Sequence, residues 1–179
     1  MKKIFSSFIM LILGVSLVGC VGNVPQTSKE PTSGTYKFDG VKMDFIQKHQ
    51  PTKVKYQDKS VVETKLNDEI KKKMFEKNLL NENSQDKIDI ELNYRREFVG
   101  EATFAKSDSI GNIFFKYDIK VLRGDKILRN ISQNREMRYN PGFLGNLKTI
   151  AGANRSDDFE NGAIVEIANE LVEQIEKIK

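Results

Sequence analysis

The single cysteine and the single histidine are the side chains of this chain with the widest chemical repertoire. A thiol can act as a nucleophile, ligate a metal, or carry a covalent group. One cysteine cannot form an internal disulfide, and Cys20 has no other thiol with which to share a metal. His49 has no metal ligand or triad partner at close spacing in the sequence. We therefore expect an exposed loop histidine and a cysteine used for covalent modification.

The sequence carries no motif for catalysis on a bound phosphate or an acyl group. It has no Gly-x-Ser-x-Gly turn and no Gly-Lys-Ser/Thr loop. Carboxylate pairs occur at Asp86–Asp89 and Asp157–Asp158, and a glycosidase needs two carboxylates facing each other across a cleft. Strand solvation and helix capping explain these pairs more simply. We predict no catalytic residues, metal or cofactor, and keep an envelope-polymer hydrolase as an alternative.

The N-terminus has the pattern of an export signal. Lys2 and Lys3 form a positive segment, and an apolar stretch then runs from Ile4 to Val18. The stretch is too short for a comfortable membrane span, which needs about 20 apolar residues, but it suits a signal peptide. Lys2 and Lys3 also supply two of the four net positive charges. The mature chain is therefore too weakly basic to indicate nucleic-acid binding.

The end of the apolar stretch reads Leu17-Val18-Gly19-Cys20. This resembles the bacterial lipobox, and the resemblance implies that Cys20 receives a diacylglyceryl group and becomes the mature N-terminus. It predicts a lipid-anchored protein of the cell envelope. In Gram-negative lipoproteins an aspartate after the cysteine often retains the protein at the inner membrane, whereas Val21 resembles the outer-membrane pattern.

Composition divides the chain into three parts. Residues 1–19 are the predicted signal peptide. Residues 20–35 begin at the predicted lipidated Cys20 and are rich in Pro, Ser, Thr, Gly and Asn, which is typical of a flexible linker. Residues 36–179 have the length and the apolar periodicity of one globular domain.

Apolar periodicity predicts the elements of this domain. The predicted order is β-α-β-β-β-α, with a Gly124-Asp125 hairpin turn between the last two strands. This order favours an α+β two-layer sandwich, in which a mainly antiparallel sheet of three to five strands carries two amphipathic helices on one face. The first strand could pair in parallel with a later one. The predicted elements are Tyr36–Ile46, Ser60–Leu80, Lys87–Phe98, Asn112–Leu122, Lys126–Met137 and Asp157–Lys179.

Both helices begin with a capping signal. Ser60 followed by Glu63 fits a capping box, and so does Asp157 followed by Glu160. We therefore predict that Ser60 and Asp157 are the N-cap residues.

The segment Asn140–Ser156 carries Pro141 and three glycines, and we predict a long irregular loop. Phe143 and Leu144 on this loop have no obvious packing purpose, which favours an interaction site. Arg135 and Arg138 lie at a strand end beside it. They could meet anionic lipid headgroups or glycans, or they could be solvated edge residues.

The mature domain resembles small outer-membrane lipoproteins of unknown function, which share the lipobox, a strand hairpin, a glycine-rich loop and a C-terminal amphipathic helix. The matching parts are 112–137, 140–156 and 161–178. It resembles less closely the lipopolysaccharide-assembly lipoprotein. A two-layer domain without a catalytic constellation favours a non-enzymatic accessory or protein-binding component of the envelope, with lipopolysaccharide or lipid handling as an alternative.

Overall fold

The computed structural model describes residues 28–179, which form one mixed sheet and three helices. The sheet order is β1-β2-β3-β4; β1 is parallel to β2, and the other two pairs are antiparallel. The predicted α+β class is confirmed, with one helix more than predicted. The strands are β1 (Lys37–Gln47), β2 (Asp86–Phe98), β3 (Ile110–Arg123) and β4 (Lys126–Arg138), and the helices are α1 (Lys59–Glu76), α2 (Gly142–Ile150) and α3 (Asp158–Lys177).

The core lies between one face of the sheet and the helices α1 and α3. Because side chains alternate along a strand, Ile88, Ile90 and Leu92 of β2 are all buried while the residues between them are not. The buried residues of α1 recur every four positions, as the sequence predicted. They are Val62, Leu66, Ile70 and Met74.

The cap of α1 differs from the prediction. Asp58, not Ser60, is the N-cap residue, because its Oδ1 accepts hydrogen bonds from the backbone N–H of Val61 at 3.0 Å and from Ser60 Oγ at 2.7 Å. Ser60 lies inside the first turn of the helix. The Ser60–Glu63 capping box was therefore a wrong prediction, displaced by a stronger carboxylate acceptor two residues earlier.

The start of α3 also differs. Asp157 is the N-cap residue by position, but its side chain makes no capping hydrogen bond. Glu160, predicted to complete a capping box, is buried and accepts hydrogen bonds from Arg96 of β2. The carboxylate of Glu160 therefore pairs with the buried Arg96 instead of capping the start of α3.

Residues 28–35, which composition assigns to the linker, are held against the domain. The N–H of Ser28 donates to the carbonyl of Ile127 at 3.0 Å, beside the β3–β4 turn. The N–H of Ser33 donates to Asp86 Oδ2 at 2.6 Å. Burial raises the pKa of Asp86, but hydrogen bonds from Arg123 and Ser33 outweigh it and hold the pKa below its ordinary value. The chain therefore enters the domain at the turn end of β4.

Candidate functional site

The segment predicted to be an irregular loop contains the helix α2, so that prediction was wrong in part. The glycines made the segment look like a loop, yet they permit the helix. Gly142 has a φ of 74°, in the left-handed region that favours glycine. A Cβ on Gly145 would lie 2.3 Å from the Cβ of Pro141, so only glycine fits there. The glycines of this segment therefore reflect close packing and a turn of the backbone, not an irregular loop.

Side-chain amides at both ends hold α2 in place. Asn140 Oδ1 accepts hydrogen bonds from the N–H of Gly142 and from Asn146 Nδ2, both at 3.2 Å. At the other end the buried Asn154 donates from Nδ2 to Thr149 Oγ1 at 2.7 Å. The same amide donates to the carbonyl of Ile110, at the start of β3, at 3.2 Å. These bonds fasten α2 to the sheet through polar groups.

The apolar side chains of α2 face solvent. Phe143 is 78% exposed, Leu144 73%, Leu147 48% and Ile150 82%, and no residue of the helix is buried. Positions 143, 147 and 150 fall on one side of a helix, and position 144 borders them. A soluble domain seldom leaves four large apolar side chains together on its surface without an interaction to cover them. The apolar face of α2 is therefore the candidate functional site.

Among the residues that the sequence proposed for interaction, Phe143 and Leu144 belong to this apolar face. Arg135 and Arg138 are exposed at the end of β4 that leads into α2. The structure thus places all four at the same end of the domain. Leu147 and Ile150 were missed, although their helical spacing from Phe143 was visible in the sequence. Cys20, the predicted signal peptide 1–19 and the predicted lipobox lie outside the described residues.

The domain also contains a cluster of polar side chains that is buried, in contrast to the exposed apolar face of α2. Arg96 of β2 and Glu160 of α3 are both buried, and Arg96 Nε lies 3.0 Å from Glu160 Oε1. The hydroxyl of the buried Tyr94 donates to the same oxygen at 2.7 Å. Burial, together with the charge of Glu160, raises the pKa of Tyr94 well above its ordinary value. Arg96 lies near the end of β2, a position where an arginine is usually solvated, but here it is buried.

A cavity of about 650 Å³ lies beside this cluster, and Arg96, Phe45 and Tyr56 contribute to its wall. The carbonyl oxygen Oε1 of Gln57 is buried and has no hydrogen-bond partner. Its amide Nε2 faces Asn161 Oδ1 at 3.2 Å, and Lys65 Nζ donates to that same oxygen at 2.9 Å. Because the lysine requires an oxygen there, the amide of Gln57 is fixed in this orientation. Each nitrogen of the Arg96 guanidinium donates to a protein group, so we interpret this cluster as structural.

His49 is not an exposed loop residue, as had been expected. Its Nε2 lies 3.0 Å from Asp108 Oδ1, and its ring packs edge-on against Phe98. The N–H groups of Thr52 and Lys53 donate to Asp108 Oδ2 at 2.9 Å and 2.7 Å. The Lys53 hydrogen bond, with the one from His49, lowers the pKa of Asp108 to about 2. Asp108 therefore fastens the 49–53 loop to the β2–β3 connection.

A metal site and a basic lipid-binding cleft would each require particular side chains to lie together. Within residues 28–179, no three His, Cys, Asp or Glu side chains lie close enough to hold a metal ion together. A second open cavity of about 600 Å³ has a wall that includes Lys116, Asp118 and Glu91. Neither this cavity nor the one beside Arg96 is lined by Arg135 or Arg138, the residues that could meet anionic lipid headgroups. Among the helices of residues 28–179, none combines the length and apolarity needed to cross a bilayer.

Comparison of the chain with protein-family models, with curated proteins and with solved structures finds no match. The resemblance to small envelope lipoproteins therefore remains a prediction from the sequence.

Proposed function

We propose that this chain is a bacterial lipoprotein, anchored by lipid on Cys20, that acts as a non-enzymatic accessory component of the cell envelope. In a Gram-negative source the residue after the cysteine favours the outer membrane. In this proposal the domain works by binding, and the apolar face of α2 is its contact surface. The observation that carries the proposal is the exposure of Phe143, Leu144, Leu147 and Ile150 on one rigidly held helix.

The energetics support a binding role for this face. Each large apolar side chain transferred from water contributes about 1.5–3 kcal/mol. Four such side chains held on a preformed helix lose little further conformational freedom on binding. The exposed face therefore lowers the solubility of the free protein. Burial of the face against a partner contributes favourable free energy to binding.

Photocrosslinking in living cells tests the proposal. A photoreactive phenylalanine analogue replaces Phe143 in one variant and Phe75 in a control variant. Phe75 is a matched control because it is 71% exposed but lies on α1. We expect one dominant adduct, with either a protein or a lipid, from position 143 and none from position 75. Equal labelling at both positions, or no adduct at either, would contradict a contact surface on α2.

The same pair of variants carrying Cys20→Ser tests the anchor. Without the acceptor thiol, and once residues 1–19 are removed, the protein should leave the membrane fraction, and the adduct at position 143 should weaken. Continued membrane association of the Cys20→Ser protein with residues 1–19 removed would contradict lipid anchoring.

A further inference from the structure

The position at which the chain enters the domain restricts how an anchored domain can lie. Ser28 sits against the edge of β4, where its carbonyl accepts a hydrogen bond from Arg129 Nη1 at 2.9 Å and its N–H donates to Ile127. From Cys20 to Ser28 an extended chain spans at most about 29 Å. A lipid on Cys20 therefore keeps the turn end of β4 close to the membrane surface.

The helix α2 lies at the other end of the same strand. It begins shortly after Arg138, the last residue of β4. From Lys126 to Arg138 the strand rises about 40 Å. The proposed anchor enters beside one end of β4 and the apolar helix follows its other end, so the two are about one strand length apart.

The segment that contains α2 is basic, and the nearby carboxylate of Glu166 on α3 accepts a hydrogen bond from the backbone of Asn140. Residues 137–156 include three basic side chains and neither aspartate nor glutamate. Arg135, Arg138, Lys148 and Arg155 are exposed, and none of them forms an ion pair within residues 28–179. The one acidic residue of β4, Glu136, accepts hydrogen bonds from Arg95. The uncovered apolar face is thus bordered by free positive charge.

We infer that the domain lies with its β4 edge along an anionic bilayer and that the apolar face of α2 inserts among the headgroups as a second membrane contact. The inference rests on the proposed lipid anchor and names the partner of the proposed contact surface. Arg135, Arg138, Lys148 and Arg155 meet the phosphates of anionic lipids. Apolar side chains on one side of a helix with flanking cations are the features of an interfacial membrane helix.

The bilayer fits this surface better than a second copy of the chain. Two copies docked through α2 would bring the same unpaired cations together, and like charges in an interface oppose association. A nine-residue helix is also too short to hold a membrane strongly by itself. The anchor removes this difficulty, because a tethered second contact binds at a high effective concentration. Arginines on an edge strand can also prevent strand pairing, but that role does not account for the apolar face of α2.

Single-tryptophan fluorescence tests the inference on the lipidated protein. The chain contains no tryptophan, so Phe143→Trp and the control Phe75→Trp each introduce one reporter. Each protein is extracted from membranes and reconstituted into vesicles of phosphatidylcholine alone or of phosphatidylcholine mixed with phosphatidylglycerol. Flotation first establishes that the protein is anchored, which separates a failure of the anchor from a failure of docking. Emission and quenching by brominated lipids are then measured.

In the anionic vesicles we expect the emission of the Phe143→Trp protein to shift to shorter wavelength and to be quenched by the brominated lipids. The shift should be smaller in phosphatidylcholine alone and should diminish in high salt, and the Phe75→Trp emission should not change. Floated protein whose Phe143→Trp emission stays that of water-exposed tryptophan would overturn the inference. So would a discrete protein adduct from position 143 in cells, or concentration-dependent self-association without vesicles that Phe143→Ser abolishes.

Discussion

The guanidinium of Arg96 on β2 and the carboxylate of Glu160 on α3 form an ion pair in the core, with Nη2 2.5 Å from Oε1 and 2.6 Å from Oε2. Nη1 of Arg96 donates to Gln47 Oε1 at 2.6 Å, and Nη2 also donates to the carbonyl of Gln57 at 2.8 Å. The pair thus ties the end of β2, the start of α3 and the loop before α1 together. Those elements form the end of the domain opposite the β3–β4 turn.

Removing one member of this pair should be far more costly than replacing both. Glu160→Gln leaves a buried guanidinium without its counterion, and we expect a loss of about 3–5 kcal/mol in the free energy of unfolding. The double variant Arg96→Met with Glu160→Leu should recover most of that loss, because neither side then buries a charge. Chemical denaturation measures both. A loss below about 1 kcal/mol for Glu160→Gln would contradict a buried, mutually dependent pair.

The hydrogen bonds between Asp108 and the 49–53 loop should make the stability of the fold depend on pH under acidic conditions. Its pKa is lowered from 3.8 to about 2 in the folded protein. When the pKa of a carboxyl group is lower in the folded than in the unfolded protein, its charge contributes fully to stability above the unfolded pKa. That contribution is lost as the pH falls through the folded pKa. The difference in melting temperature between the wild type and Asp108→Asn should therefore be largest at neutral pH and should narrow as pH falls from 3.8 towards 2. A difference that stays constant over that range would contradict the role given to the Asp108 charge.

Asn154 should control how firmly α2 is held. Asn154→Ala removes the donor to Thr149 Oγ1 and leaves the buried carbonyl of Ile110 short of a partner, at a cost of about 1–3 kcal/mol. Amide hydrogen exchange should speed up in α2 more than in α3. Asn146→Ala removes only the partly exposed bond to Asn140 and should speed exchange less. Exchange in α2 of the Asn154→Ala protein at the wild-type rate would show that Asn154 does not fasten α2.

The apolar face of α2 should contribute little to stability in solution. Phe143→Ala should change the free energy of unfolding by less than about 0.5 kcal/mol, because the side chain is exposed. The matched control Phe38→Ala removes a buried ring of the core and should cost about 3–5 kcal/mol. Thermal or chemical denaturation compares them. A loss above about 2 kcal/mol for Phe143→Ala would mean that the ring supports the fold rather than a contact.

Local periodicity was enough to predict most of the scaffold. The alternation in β2 and the four-residue recurrence in α1 reflect burial on one face, and both appear directly in the sequence. The ion pair of Arg96 with Glu160 could not be predicted, because the two residues are 64 positions apart and only the tertiary packing brings them together. Their neighbours in sequence suggested a strand end and a helix cap instead.

The candidate site was predicted in part. Phe143 and Leu144 stood out because no packing partner was apparent, and the structure leaves both exposed. The helix that organises them was missed because Pro141, Gly142 and Gly145 indicate a loop when considered by composition alone. The bonds that make α2 possible come from Asn140 and Asn154, outside the helix itself.

The intact mass of the protein extracted from the membrane fraction of its own cells tests the central claim most directly. Lipid anchoring predicts a chain that begins at Cys20 and carries the additional mass of a diacylglyceryl group on that residue, with or without a further acyl chain on its amino group. The Cys20→Ser protein should lack that mass. An unmodified chain that retains residues 1–19, or one that begins at another residue, would contradict the account.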